Sequence, residues 1–266
     1  MAITTTDPKN EIKRLSAALA KVGVTLPEAV TTAPERVRVE APTSREIGEA
    51  IRAAKDPLTD KHVAQLMLAH QIAKGGFESD VMQAGWADQR QALKDVRADL
   101  NDALHDVFDR AAEELTEVAP KLGGYEDLDS LVLANLPARV VEPTRRATEA
   151  QAVLRNTVDA WKTLWAVTAS QNLGPGVSNV HVLAVTDPAP GQWLEHASRR
   201  PHTLPDPGDY LAMVRMDWGL SLAESPRAAK DRNTNIRETL ERDRALRTHE
   251  KGKATQWGTI GAARIR

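Results

Sequence analysis

The sequence predicts a mainly α fold: a long antiparallel helical hairpin, shorter N-terminal helices before it, and an irregular, minimally stranded C-terminal region. Three observations carry this expectation. Two stretches, Trp86 to Ala119 and Pro143 to Ser170, repeat apolar residues at helical spacing over many turns. Aromatics make up only 4% of the 266 residues, and six of those ten are Trp. The core must therefore be filled mainly by Leu, Val and Ala, which suits narrow helix–helix interfaces better than a broad sandwich. Period-two alternation is confined to two short runs.

In chain order, Asn10 to Val22 places Ile12, Leu15, Leu19 and Val22 on one side of a helix that Gly23 stops. "RVRVE" (Arg36 to Glu40) alternates like a short strand. A cap at Thr43 or Ser44 opens a helix that ends before Pro57, and Thr59 or Asp60 caps another that ends at Gly75-Gly76. After Gly85 the first long helix runs to Ala119, about 50 Å at ~1.5 Å per residue. Pro120 and Gly123-Gly124 end it. A short helix over Asp127 to Asn135 and a turn at Pro137 lead to the second long helix, opened by Pro143-Thr144. That helix aligns Ala147, Ala150, Leu154, Val158, Trp161 and Trp165. The two stripes predict burial of Leu100, Leu104, Leu115, Leu154, Val158 and Trp161.

Beyond residue 171 the chain becomes rich in Pro and Gly, with one strand-like run, Val180 to Val185, and a helix over Tyr210 to Ala223. Pro226 to Lys251 reads as a polar, charged helix. Gly252, Gly258 and Gly261 should interrupt any continuation, leaving a flexible tail. Three regions are expected: a helical domain over 1–171, an irregular region over 172–225, and a basic helix and tail over 226–266.

Composition narrows the chemistry. There are no cysteines, so disulfides, thiolate catalysis and cysteine zinc sites are excluded. The first residues hold no apolar h-region and no run approaches 18 apolar residues, so a cytoplasmic location without a membrane span is expected. Arg outnumbers Lys by 23 to 12 and Ala is abundant, a composition typical of GC-rich genomes, those of phages and mobile elements among them.

The net charge of −2 conceals an asymmetry. Phe77 to Ser130 has a net of −9 and Pro226 to Arg266 a net of +6. In the acidic part, Asp95, Asp99, Asp102, Asp106, Asp109, Glu113 and Glu117 recur at steps of three or four and oppose the apolar stripe. One helix face spreads these carboxylates along its length, whereas a metal needs several oxygens to converge. They are therefore expected to face water or a basic partner, with no metal and no cofactor. In the basic part, Lys230, Arg237, Arg244 and Lys251 recur every seven residues, a row that drifts only about 20° per step. Such a row suits phosphates or an acidic protein surface. Trp257, in the polar tail, is a candidate anchor for a partner.

Familiar catalytic patterns are broken. "HEKGK" lacks the second His of a zinc-protease motif, and "GKAT" lacks the Gly that would open a phosphate loop. His181, His196, Arg199, Arg200 and His202 cluster in the 172–209 loops without a carboxylate at fixed spacing. The leading expectation is a non-enzymatic structural, assembly or adaptor protein that uses long helical faces for self-association, as in a coiled coil, or for partner binding. Nucleic-acid association through the basic C-terminal helix comes second, and an enzyme with a site in the 172–209 loops third.

Overall fold

A computed structural model describes residues 8–32, 41–75, 77–123, 137–174, 179–199 and 206–262. They are mostly helical. The helices are α1 (Pro8–Ala20), α2 (Glu28–Thr31), α3 (Ser44–Ala53), α4 (Lys61–Lys74), α5 (Phe77–Asp95) and α6 (Arg97–Val118). A 3-10 turn over Ala119–Leu122 follows, then α7 (Ala138–Ala169), α8 (Asn179–Leu183), α9 (Pro190–Arg199), α10 (Tyr210–Arg215) and α11 (Pro226–Ala262). No helix among the described residues is long and apolar enough to cross a membrane. The chain divides into two compact units, Met1–Lys13 with Leu26–Arg97, and Arg14–Thr25 with Ala98–Arg266.

In the first unit, α2 packs on α5, α4 on α5 and α3 on α4. Local chemistry sets the helix starts. The Thr43 hydroxyl accepts from the Glu46 amide while the Glu46 carboxylate accepts from the Thr43 amide at 2.7 Å, a reciprocal cap. The Asp60 carboxylate caps α4 through the His62 and Val63 amides, at 2.8 and 3.1 Å. Ile12, Val30, Ile47, Val63 and Leu93 are buried, and Gln89 donates to the Thr32 carbonyl. Yet α4 is apolar on more than one face, and Leu68 remains 57% exposed.

The second unit holds the larger core. Leu100, Leu104, Leu115, Leu154, Val158 and Trp161 are all buried, as their helical spacing predicts. The Trp165 indole donates to Asn101 at 3.1 Å, and Arg146 reaches Glu114 and Glu117. These contacts run in opposite order along α6 and α7, as in an antiparallel pair. Buried threonines on α7 satisfy their hydroxyls at home. Thr144, Thr157, Thr163 and Thr168 each donate to the carbonyl four residues back, at 2.7–2.8 Å. Phe108 meets Tyr210 edge-on at 6.5 Å, and Trp193 stacks on Trp218 at 5.2 Å. Before this core, Gly23 closes α1 at φ +74°, with the Val24 amide reaching back to the Leu19 carbonyl at 3.1 Å.

Several boundaries differ from expectation. The first long helix begins at Phe77 and carries Gly85 inside it, a local cost of about 1 kcal/mol that neighbouring turns absorb. It then breaks at Val96, so Asp95 sits on α5 and the other six acids on α6. The second long helix starts at Ala138, with Pro143 inside its second turn. Only one intrahelical amide bond is forfeited there, and the clashing carbonyl lies on the exposed Arg139.

Val180 to Val185 is not a strand. Its residues form α8 and a following turn, with the Ala184 amide bonded to the Val180 carbonyl at 2.9 Å. Val182 to Val185 are buried in succession, and so short an apolar run carries no periodicity that separates strand from helix. Thr186 pairs across, in an isolated antiparallel bridge to Leu220. "RVRVE" and Asp127–Asn135 lie outside the described residues. The expected helix from Tyr210 stops at Arg215, because Asp217 takes φ +57° and redirects the chain. In α11 the backbone stays helical through Gly252, Gly258 and Gly261 to Ala262, since each glycine weakens a helix without forbidding it.

Candidate functional site

On α6 the alternation of apolar and acidic residues sorts itself by solvent. Leu100, Leu104, Phe108, Ala111, Leu115 and Val118 are buried, while Asp99, Asp102, Asp106, Asp109, Glu113 and Glu117 are exposed. Asp95, on α5, is exposed as well and accepts from the Gln91 amide at 2.8 Å.

The C-terminal end of this face differs from its start. Glu117 accepts from Lys121 at 2.7 Å and from Arg146 at 3.1 Å. These two hydrogen bonds, Lys121 first, pull the Glu117 carboxyl down to about 2. Arg146 also pairs with Glu114, whose carboxyl is lowered by that bond. By contrast, the carboxylates of Asp99, Asp102, Asp106, Asp109 and Glu113 form no hydrogen bond or ion pair with any described side chain.

Beside the acids lies a groove. A cavity of about 620 Å³ is lined by Asp109, Ala112, Glu113, Thr116 and Glu117 on α6 and by Gly219 and Leu220 opposite. A second, of about 430 Å³, shares Thr116 and continues along Ala119, Pro120, Gly123, Val214 and Arg215. The Thr186–Leu220 bridge fixes the far wall, reinforced by the Ser221 amide on the Val185 carbonyl at 2.9 Å and the Ala223 amide on Ala184 at 2.8 Å. Arg215 ties the second stretch down through the Gly123 carbonyl at 3.1 Å.

The basic row starts on α11, which packs on α8 and α9. Pro226, Ala229 and Ile236 are buried on the body side. Arg232 holds this root. Its guanidinium donates to the carbonyls of Leu183, Thr186 and Ser221 at 3.0–3.1 Å and lies 3.6 Å from Asp187. Lys230 and Arg237 are exposed. Arg244, Lys251 and Trp257 lie on helical backbone, and their side chains fall outside the described residues. Among the described residues no ion pair joins the acids of α6 to Lys230 or Arg237.

Sequence reasoning missed two residues that organise these surfaces, Arg146 and Arg232. No local signal separates Arg232 from the other bases of a charged helix, because its three acceptors come from Leu183, Thr186 and Ser221. In the 172–209 loops, His181 is half-buried, and burial followed by the Lys162 charge lowers its pKa. The side chains of His196, Arg199, Arg200 and His202 are outside the described residues. Among the described residues no three His, Asp or Glu converge as metal ligands would. The chain matches no protein-family model, no curated protein and no solved structure.

Proposed function

We propose that this chain is a non-enzymatic assembly or adaptor protein that binds partners through exposed helical faces, foremost the acidic face of α6. The observation that carries this reading is the set of five carboxylates, Asp99 to Glu113, that meet no cation of the described fold. Like charges at i and i+4 repel by a few tenths of a kcal/mol per pair. A face that keeps them beside a groove is better suited to receiving a basic protein surface than to supporting its own helix. Electrostatic complementarity of this kind sets partner choice and encounter rate.

The test is cross-linking in the producing cell, read by mass spectrometry, with the original chain and with D99N/D102N/D106N. Loss of specific protein cross-links in the variant, with its helical content intact, supports the reading. Identical cross-link profiles for the two proteins would remove it. Nucleic-acid association through α11 remains a separate reading, favoured by the exposed Lys230 and Arg237. Retention on duplex DNA that weakens steeply with salt would identify it.

A further inference from the structure

We infer that the groove between α6 and the Gly219–Leu220 turn receives the outer half of α11 from a second copy of this chain. This names the partner of the acidic face and rests on the assembly reading above.

The groove has the form a helix needs. Asp109, Glu113 and Glu117 make one row at i, i+4 and i+8, and Ala112 and Thr116 make the row beside it. Small side chains let another backbone approach closely, and the half-buried Leu220 offers an apolar contact opposite. Asp109 and Glu113, which pair with no described side chain, carry charge to the mouth. A groove of this sign repels phosphate, so a nucleic acid does not fit here, and a cationic helix does.

The chain itself carries such a helix. Ile236 is the last buried residue among the described side chains of α11, and Leu246 is 64% exposed. From Arg237 to Ala262 the helix runs on for about 39 Å at ~1.5 Å per residue. A polar helix of that length is marginal alone in water, so its formation calls for a surface to lie on. Its basic row, Arg237, Arg244 and Lys251, repeats at seven residues and matches the charge of the acid row. Arg232 holds the root of the helix to α8, and among the described residues no ion pair joins Lys230 or Arg237 to the acids of their own α6. A second copy meets both requirements at once, and two copies can exchange helices reciprocally around a two-fold axis.

The experiment measures the molar mass of the full chain by sedimentation equilibrium, at about 50 mM and about 500 mM salt, a range over which screening shortens several-fold. The original chain, D109K/E113K, R237E/R244E and an equimolar mixture of the two variants are compared. Association is expected for the original chain, weakening about tenfold at the higher salt. Each variant alone should associate at least about tenfold more weakly, and the mixture should recover, because both reversed interfaces then pair. Circular dichroism confirms folding, and D109N/E113Q with R237Q/R244Q replace any reversal that fails to fold. With the neutral pair, each variant alone should still lose association. A monomeric original chain, unchanged association in either variant, or no recovery in a mixture of folded reversals overturns the inference. A monomeric chain whose cross-links to other proteins still depend on Asp99, Asp102 and Asp106 would leave the assembly reading standing and remove only the second copy.

Discussion

Helices α6 and α11 are both long and both densely charged, yet they relate to the fold in opposite ways. Along α6 every turn supplies at least one buried apolar residue, from Leu100 to Val118, and the charges are set on the opposite side. Along α11 burial among the described side chains ends at Ile236, and the helical backbone continues to Ala262 through a sequence rich in charged residues. Apolar burial on one face gives α6 its stability and leaves its acids exposed on the other. Among the described side chains of the outer part of α11, none is buried. The difference separates a helix that the core defines from one that is held to the body only near its start, as far as Ile236, among the described side chains.

The largest expected effect tests the core side of that contrast. Leu104, fully buried on α6, should cost about 2–5 kcal/mol when changed to Ala. Leu246→Ala on α11 should stay within about 0.5 kcal/mol, as for an exposed position. Urea denaturation of both variants checks this, and equal losses would erase the distinction.

Next comes the root of α11. Arg232→Ala removes the donor to three carbonyls and should destabilise by about 1.5–3 kcal/mol, the scale of hydrogen bonds to a charged group. Amide exchange over Ala229 to Ile236 should accelerate while that over Leu100 to Leu115 changes far less. Arg232→Lys should rescue only part, because one ammonium cannot reproduce the planar fork.

Truncation after Lys251 should move the melting temperature of the monomeric chain little, since no described side chain beyond Ile236 is buried. A large drop at low protein concentration would show that the outer helix belongs to the body of its own chain.

The smallest effect is in pH. Glu117 is depressed to about 2 by Lys121 and Arg146. Its ion pairs therefore stabilise the fold above the ordinary carboxylate range, and that contribution fades as pH falls from about 4.5 toward 2. Glu117→Gln should flatten this segment of the stability–pH curve and leave a small loss of stability that is constant above about pH 5. Denaturant midpoints collected across the acid range provide the measurement. Because Glu117 is exposed, the change should be slight.

Much of the α6 and α7 core was legible because repetition over many turns averages out local ambiguity. Leu100, Leu104, Leu154 and Trp161 fall where the period places them. The caps at Thr43 and Asp60 were legible for a different reason, since their partners lie within three residues. Where the signal was short, reading failed. Val180 to Val185 favours a strand by β-branched composition, but the fold coils it into α8 and buries it. The break at Val96 was also invisible, as the apolar period passes through it with no Pro or Gly.

The sequence by itself determined that this protein is helical, which faces of α6 and α7 turn inward, and that an acidic face and a basic row exist. Those properties follow from spacing along one helix, so local information suffices. Tertiary structure alone decided that Arg146 holds Glu114 and Glu117, that Arg232 anchors α11, and that Gly219 and Leu220 build a wall opposite Asp109 and Glu113. Those contacts join residues from eleven to about a hundred positions apart, and only the packed backbone brings them within reach.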